Sequence, residues 1–359
     1  MVIGMTTFRL EPQYLFKLVS MPRGFTTHDP IGNKCNVPSH TITIDYLGNC
    51  LLCSCDGWLP IPVGKVLEFD SIEQVLQSES AKLIREDVEN GFFSWCAVDH
   101  CGIRDQDKIK HEFSLSINID ESCNLHCPSC RRDAVMLDSG PEFDFKISCV
   151  NRILEWLEKF DKPIHITMSG NGDPLASHVM RPLIKNWKPK NNQRFTIFTN
   201  GLLLQKQLEN LPILDRVKEF KISVDAGSEA VYHDVRRPGN WTSLLKNLEW
   251  LNQIGQSSRT CLNFALQNKN YQDLPKFIEL CQQFGFRGVV HQLDNWGTWS
   301  QIESGRKDTW TMMNGLFRDH DVLDKNHPNH AHACQVIKQH LVSDNIFFAP
   351  ALLGRIRDE

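Results

Sequence analysis

The stretch that decides the fold is Phe113-Ser-Leu-Ser-Ile-Asn-Ile-Asp-Glu-Ser-Cys-Asn-Leu-His-Cys-Pro-Ser-Cys130. Its first seven residues, FSLSINI (113–119), alternate apolar and polar side chains as a half-buried strand does, and a polar loop carrying three cysteines follows directly. Moving outward, further β-type runs appear at IHITM (164–168), RFTIFT (194–199), EFKISV (219–224), CLNFAL (261–266) and GVVHQL (288–293). Between them lie amphipathic stretches: ISCVNRILEWLEKF (147–160), HVMRPLIKNW (178–187), WTSLLKNLEWLNQIG (241–255) and LPKFIELCQQFGF (274–286). Strands alternating with helix-length segments predict an α/β fold with parallel strands. Six such units fall short of the eight of a closed barrel, so the expected architecture over 109–300 is a partial (β/α)6 TIM-like barrel. Functional groups of such a fold sit at the C-terminal ends of the strands, which directs attention to the loop after each run.

Residues 30–108 read differently. TITIDYLGNCLLC (41–53) has the pattern of a hairpin turning at Gly48-Asn49. SIEQVLQSESAKLIREDVENG (71–91) predicts one helix with Ser71 as its N-cap, Glu73 or Gln74 near the capping-box position and Gly91 as its stop. This is a small α+β domain whose thin core would gain from cysteine-bound metal. An N-terminal segment (1–29) precedes it. A tail (301–359) closes the chain, with WTMMNGLFRDHDVLDKNHPNHAHAC (310–334) rich in His and Asp and weak in periodicity.

Composition narrows the function. Of 359 residues 41% are hydrophobic and 23% charged, and the net charge is −4, so neither a nucleic acid nor an anionic membrane is an expected partner. No run approaches the 18 or so apolar residues of a spanning helix. The N-terminus lacks the basic, apolar and small-residue series of a secretory signal, so a cytoplasmic, reducing location is expected. Thirteen cysteines are many for that setting, and their clustering reads as metal or redox ligation. Cysteines 35, 50, 53, 55, 96 and 101 form one group, 123, 127 and 130 a second, and 149, 261, 281 and 334 are scattered.

Cys123, Cys127 and Cys130 follow a C-x3-C-x2-C spacing. Three thiolates on a [4Fe–4S] cluster leave one iron open to a small molecule. A zinc knuckle completed by His126 is the alternative. On this spacing after the first barrel strand, the sequence resembles the radical S-adenosylmethionine (radical SAM) superfamily. The resemblance implies that these three cysteines hold the cluster and that SAM chelates the open iron. Cleavage of SAM by a reducing partner such as flavodoxin or ferredoxin would then yield a 5′-deoxyadenosyl radical. Ser129 stands where family members often place an aromatic residue. Ser169-Gly170-Asn171-Gly172-Asp173-Pro174 resembles the family's Gly-Gly-Glu-Pro element, its glycines admitting close backbone approach and Asp173 replacing the usual Glu. Thr199-Asn200-Gly201 matches the Thr-Asn-Gly common after strand three. Ser223-Val224-Asp225 occupies the place of groups that hold the SAM ribose. Arg236 or Arg237 could pair with the SAM carboxylate, and Gln267 ends strand five as a further cofactor or substrate contact. Taken singly, these are equally strand-to-helix turns, helix caps and surface charge.

Ser223 to Leu251 resembles the superfamily subset with SPASM or twitch auxiliary domains, and the cysteines of 35–101 resemble that domain's pattern. The resemblance implies an auxiliary [4Fe–4S] cluster on Cys35, Cys53, Cys96 and Cys101, with Cys50 and Cys55 as substitutes for Cys53; structural zinc is the alternative. Here the twitch-like module precedes the barrel instead of following it. Cys149, Cys261 and Cys281 read as buried small hydrophobes. Cys334 is a candidate catalytic hydrogen donor, as in radical SAM peptide epimerases. His291, Asp294, Trp296 and Trp299 follow strand six and suit substrate binding, while His327, His330 and His332, interrupted by Pro328, read as a solvated loop. The expected substrate is a peptide or protein. A sugar or aminocyclitol dehydrogenase or mutase, and a zinc-stabilised non-catalytic binding scaffold, are the competing readings.

Overall fold

The computed structural model describes residues 30–54, 59, 61–96, 98–101, 103, 106–130, 133–169, 172–294 and 317–357. They divide between two compact units. One holds Met1–Glu121, Leu137–Gly172 and Val179–Phe195, the other Ser122–Met136, Asp173–His178 and Thr196–Glu359.

In the first unit, β1 (Thr41–Ile44), β2 (Asn49–Leu51), β3 (Pro62–Lys65), β4 (Phe113–Ile117) and β5 (Ile164–Met168) lie in the order β3-β2-β1-β4-β5. β1 and β2 form the expected hairpin. Asp45 closes its turn by accepting from the Leu47 and Asn49 N–H groups, and Gly48 takes φ +74°. β1 also pairs in parallel with β4, Thr43 opposite Ser116, and β4 pairs in parallel with β5. β1 is buried at all four positions, so both of its faces are covered, as is usual where strands pair in parallel.

The helix expected over 71–91 is two helices, α1 (Ile72–Gln77) and α2 (Glu79–Glu89). Ser71 caps α1 by accepting from Gln74 N–H at 3.2 Å, as expected. Ser78 leaves the helical region (ψ 152°), bonds its hydroxyl to Val75 O and caps α2 by accepting from Ala81 N–H. A serine hydroxyl that competes for nearby backbone groups breaks the helix where periodicity alone continues it. α3 (Pro141–Lys159) starts before its apolar run, with Pro141 in the first turn, Glu142 and Asp144 at its positive end and Lys159 at its negative end. It buries Cys149, Val150, Ile153, Trp156 and Leu157. The helix expected at 178–187 is only a π-helical turn, Pro182–Asn186. Proline lacks the N–H an interior helical position needs, and Pro189 disfavours helix at Lys188.

The second unit contains β6 (Gln193–Thr199, entering this unit at Thr196), β7 (Val217–Ser223), β8 (Thr260–Leu266), β9 (Arg287–Gln292) and β10 (Ile346–Phe348), in that order. β7–β8, β8–β9 and β9–β10 are parallel. Among the described residues its helices of seven or more residues are α4 (Glu229–Val235), α5 (Trp241–Gln253), α6 (Leu274–Phe284), α7 (His330–His340) and α8 (Pro350–Arg357). The six expected strands are all present within two residues of their predicted ends.

The tail departs from expectation. His327 and His330 are buried in it, not solvated: His327 Nε2 lies 3.2 Å from Asp319 O and His330 Nδ1 lies 3.3 Å from Val322 O. α7 buries His330, Ala333, Cys334 and Ile337, an i, i+3, i+4, i+7 stripe that a histidine disguises as polar. No helix among the described residues is long and apolar enough to cross a membrane.

Candidate functional site

The three-cysteine loop belongs to the second unit and is fastened to it by backbone bonds. Cys123 N–H donates to Val135 O at 2.8 Å and His126 N–H to Arg237 O at 2.6 Å, while Ser122 O accepts from Asp173 N–H at 2.8 Å. Two of the sulfurs face donors. Cys123 Sγ receives Leu125 N–H at 3.4 Å and Asn200 Nδ2 at 3.9 Å; Cys127 Sγ receives Arg236 Nη1 at 3.7 Å. Burial pushes the Cys127 thiol up and the Arg236 charge beside it pulls down. Cys130 is exposed. Donors gathered on sulfur are what a metal-bound thiolate requires, since its negative charge is otherwise uncompensated in a buried site. The loop therefore fits a cluster that keeps one position for a further ligand. No three His, Cys, Asp or Glu side chains among the described residues are arranged around a single metal ion. Cluster thiolates sit on separate iron atoms and need not be.

Asp173 organises the neighbouring turns. Its carboxylate accepts from Thr199 Oγ1 at 2.9 Å, Asn200 N–H at 2.6 Å and Leu175 N–H at 2.9 Å, and it is 3% exposed. Burial raises its pKa, against the pull of those hydrogen bonds. Asn200, so placed, accepts from Leu202 N–H and donates to Asn124 Oδ1 at 2.8 Å as well as toward Cys123. The Asp and Asn singled out in the sequence thus act together at the cysteine loop. Gly170 and Asn171 lie outside the described residues. Gly172 is described, in the first unit.

After β7, Ser223 stands opposite Asn263, and Asp225 takes a left-handed conformation (φ +57°). Asp225 Oδ1 accepts from Ala265 N–H at 2.7 Å and Oδ2 meets Arg236 Nη2 at 2.5 Å. Gln267 is buried at the end of β8, and its Nε2 has no partner among the described residues; the same holds for Arg236 Nε, Tyr232 Oη and Asn263 Nδ2. Buried donors without protein partners are places that a bound molecule or an ordered water can complete. Tyr232 was not anticipated from the sequence. Its hydroxyl is raised mainly by burial and shares the electrostatic field of Arg236, Cys127, Asp225 and Asp173. The available signal was its position one helical turn before Arg236.

In the first unit, Cys35, Cys53, Cys96 and Cys101 come from separate segments. Burial is the main cause raising Cys35, to about 11, with Cys53 and Cys101 adding to it. Burial also raises Cys96, followed by Cys53, Cys35 and Cys101. Cys35 and Cys96 therefore both lie in the field of Cys53 and Cys101. Cys35, Cys96 and Cys101 pack on Val88, Phe93, Val98 and Ile103. Cys50 is different: fully buried, it feels Asp45, Cys149 and Glu68 instead. Cys55 lies outside the described residues.

Cys149, Cys261 and Cys281 are buried, as expected. Cys334 is also buried, in α7, with Sγ 3.6 Å from His330 Nε2. At the end of β9, His291 Nδ1 lies 2.9 Å from Gln292 O, and Gln292 Nε2 donates to Asp294 Oδ1 at 3.0 Å; Trp296 and Trp299 lie outside the described residues.

Residues 117–281 match the sequence profile of the Radical SAM superfamily. Over these residues the chain carries a radical SAM domain. Among curated relatives, a probable GTP 3′,8-cyclase from Methanocaldococcus jannaschii is 27% identical over 183 residues, 50% of this chain and 59% of the relative. Molybdenum cofactor biosynthesis protein 1 of Dictyostelium discoideum is 27% identical over 174 residues, 48% of this chain and 27% of that protein. The chain thus spans little more than half the length of the cyclases it matches. A solved structure of TYW1 with a lysine-pyruvate adduct aligns over 49% of this chain and 62% of its own, at 21% identity and a TM-score of 0.34, too slight a likeness to bear on function.

Proposed function

We propose that the loop Cys123–Cys130 holds a [4Fe–4S] cluster at which SAM is bound and reductively cleaved, and that the protein uses this to abstract hydrogen from a carbon of a peptide or protein. A cluster held by Cys123, Cys127 and Cys130 would supply the single electron, drawn from a flavodoxin- or ferredoxin-type donor, that splits a sulfur–carbon bond of SAM into methionine and a 5′-deoxyadenosyl radical, which would become 5′-deoxyadenosine on taking hydrogen from substrate. The observation that carries the reading is the convergence of Asn200, after β6, and Arg236, at the C-terminus of α4, on Cys123 and Cys127. Cys123, Cys127 and Cys130 serve as ligands. Asp173 positions Asn200, and the unpartnered Gln267, Tyr232 and Asn263 are the groups available to SAM or substrate.

Cys35, Cys53, Cys96 and Cys101 are proposed to carry a second, auxiliary cluster, which would accept an electron from the substrate radical or fix the substrate. The influence of Cys53 and Cys101 on both Cys35 and Cys96 supports it. Peptide or protein as substrate class rests on the likeness of this cysteine module to SPASM and twitch domains. The GTP cyclases among the relatives favour a second reading, a purine nucleotide. Anaerobic incubation with dithionite and SAM, read by chromatography, tests the chemistry: 5′-deoxyadenosine should form in the wild type and not in Cys123→Ala. Peptide and GTP panels scored for stimulation of that product decide the substrate class. Absence of 5′-deoxyadenosine from fully iron-loaded protein would refute the enzyme reading.

A further inference from the structure

The guanidinium of Arg236 invites a role other than the SAM-carboxylate contact that its sequence position suggests. It lies between an anion and a sulfur: Nη2 is 2.5 Å from Asp225 Oδ2, and Nη1 is 3.7 Å from Cys127 Sγ. The side chains of Arg236 and Asp225 are 16% and 4% exposed, so solvent screens the pair little. Asp225 is itself fixed from the other side by Ala265 N–H at 2.7 Å, in a left-handed conformation that is uncommon outside glycine and that Asp tolerates better than most residues. The backbone reinforces the arrangement, because His126 N–H, next to Cys127, donates to Arg237 O at 2.6 Å. The segment carrying the arginine and the loop carrying the cysteine are thus joined twice, by backbone and by side chain. Asp225 already supplies the carboxylate partner that SAM would otherwise provide. The positive end of the ion pair is turned toward sulfur.

A donor aimed at a cluster thiolate stabilises the reduced, more negative state, as does any positive charge held nearby. We infer that the Asp225–Arg236 pair is an electrostatic positioning device that raises the reduction potential of the cluster bound through Cys127, and so eases its loading with an electron from a weak donor. This inference rests on the proposed cluster at Cys123, Cys127 and Cys130, and it assigns the pair a function separate from SAM binding. The two residues have opposite effects on that potential. Arg236 contributes positive charge and a sulfur-directed N–H; Asp225 offsets part of the charge.

The test is an EPR-monitored redox titration of the reconstituted protein without SAM. The relevant cluster is first identified as the one whose signal SAM perturbs. Arg236→Gln should disfavour reduction by about tenfold in the equilibrium constant, which for one electron is a fall of about 59 mV. Asp225→Asn should move the potential upward. Arg236→Lys, which keeps the charge on a point-like head group, should fall between wild type and Arg236→Gln. An unmoved potential in Arg236→Gln, or a downward shift in both Arg236→Gln and Asp225→Asn, overturns the inference. Should Arg236→Gln fail to hold iron, the Asp225→Asn titration decides alone, upward supporting and unmoved or downward refuting. A wild type with no SAM-perturbed cluster would instead refute the proposed function, so the two failures are distinguishable.

Discussion

Single side chains decide how the candidate site is held. Asp173 gathers three donors on one buried carboxylate, and Asp173→Asn replaces an acceptor oxygen with a donor that faces either Thr199 and Asn200 or Leu175. The loss should be about 1–3 kcal/mol, read as a lower urea midpoint at unchanged m-value, together with weaker retention of iron at the adjacent loop. Cys149 makes a prediction about pH. Burial lifts its thiol from an ordinary 9.0 to about 12, so the folded state favours the neutral form. Its contribution to stability is therefore complete below pH 9 and is lost as pH rises toward 12. Cys149→Ala removes that dependence. Denaturant melts of the apoprotein between pH 9 and 12 should show wild type losing stability more steeply than the variant; parallel curves would contradict this. The cysteines, Asp173, Asn200 and Arg236 were legible in the sequence as candidates. Which atoms they touch was not, because Asp173 meets Asn200 and Arg236 meets Cys127 only across long separations in the chain.

At the scale of elements, glycines separate close packing from backbone strain. Gly227, between β7 and α4, donates its N–H to Asp273 at 2.6 Å, and a Cβ there would fall 2.1 Å from Phe277 N and 2.3 Å from Lys276 C. Those are backbone atoms of α6 and cannot step aside. Gly285 ends α6 at φ +66° with nothing near its missing Cβ. Gly285→Ala should therefore cost about 1–2 kcal/mol, the penalty of a left-handed residue. Gly227→Ala should cost several-fold more, enough to lower the thermal midpoint sharply or prevent folding. Equal losses in thermal melts would show that the α6 contact yields. The strands were readable because a period of two survives in each short run. The split between α1 and α2, the π-helical turn at Pro182–Asn186 and the helix α7 were not. A serine cap, a proline and a buried histidine each override the apolar count that marks a helix.

For the whole molecule, the number of clusters is the quantity on which the reading depends. Reconstituted wild-type protein should bind about eight iron and eight sulfide per chain, falling to about four when Cys123, Cys127 and Cys130 are replaced together. Replacing Cys35 and Cys96 should also leave about four, whereas Cys50→Ser, at a thiol placed with Asp45 and Cys149 instead of with the other four, should leave eight. Iron and sulfide analysis with ultraviolet–visible spectra reads all three, and a wild type holding only four would remove the auxiliary cluster. By itself the sequence determined the parallel α/β class, six strand positions and the cysteine spacing that marks the radical SAM domain. These are local signals, carried by residue periodicity and by ligands close together on one loop. Only the tertiary structure decided that Arg236 faces Cys127 and Asp225, that Cys35 and Cys96 feel Cys53 while Cys50 feels Cys149, and that β1 pairs with β4. Each of these is a contact between distant segments, fixed by where packing brings the backbone and by which buried charge has a partner.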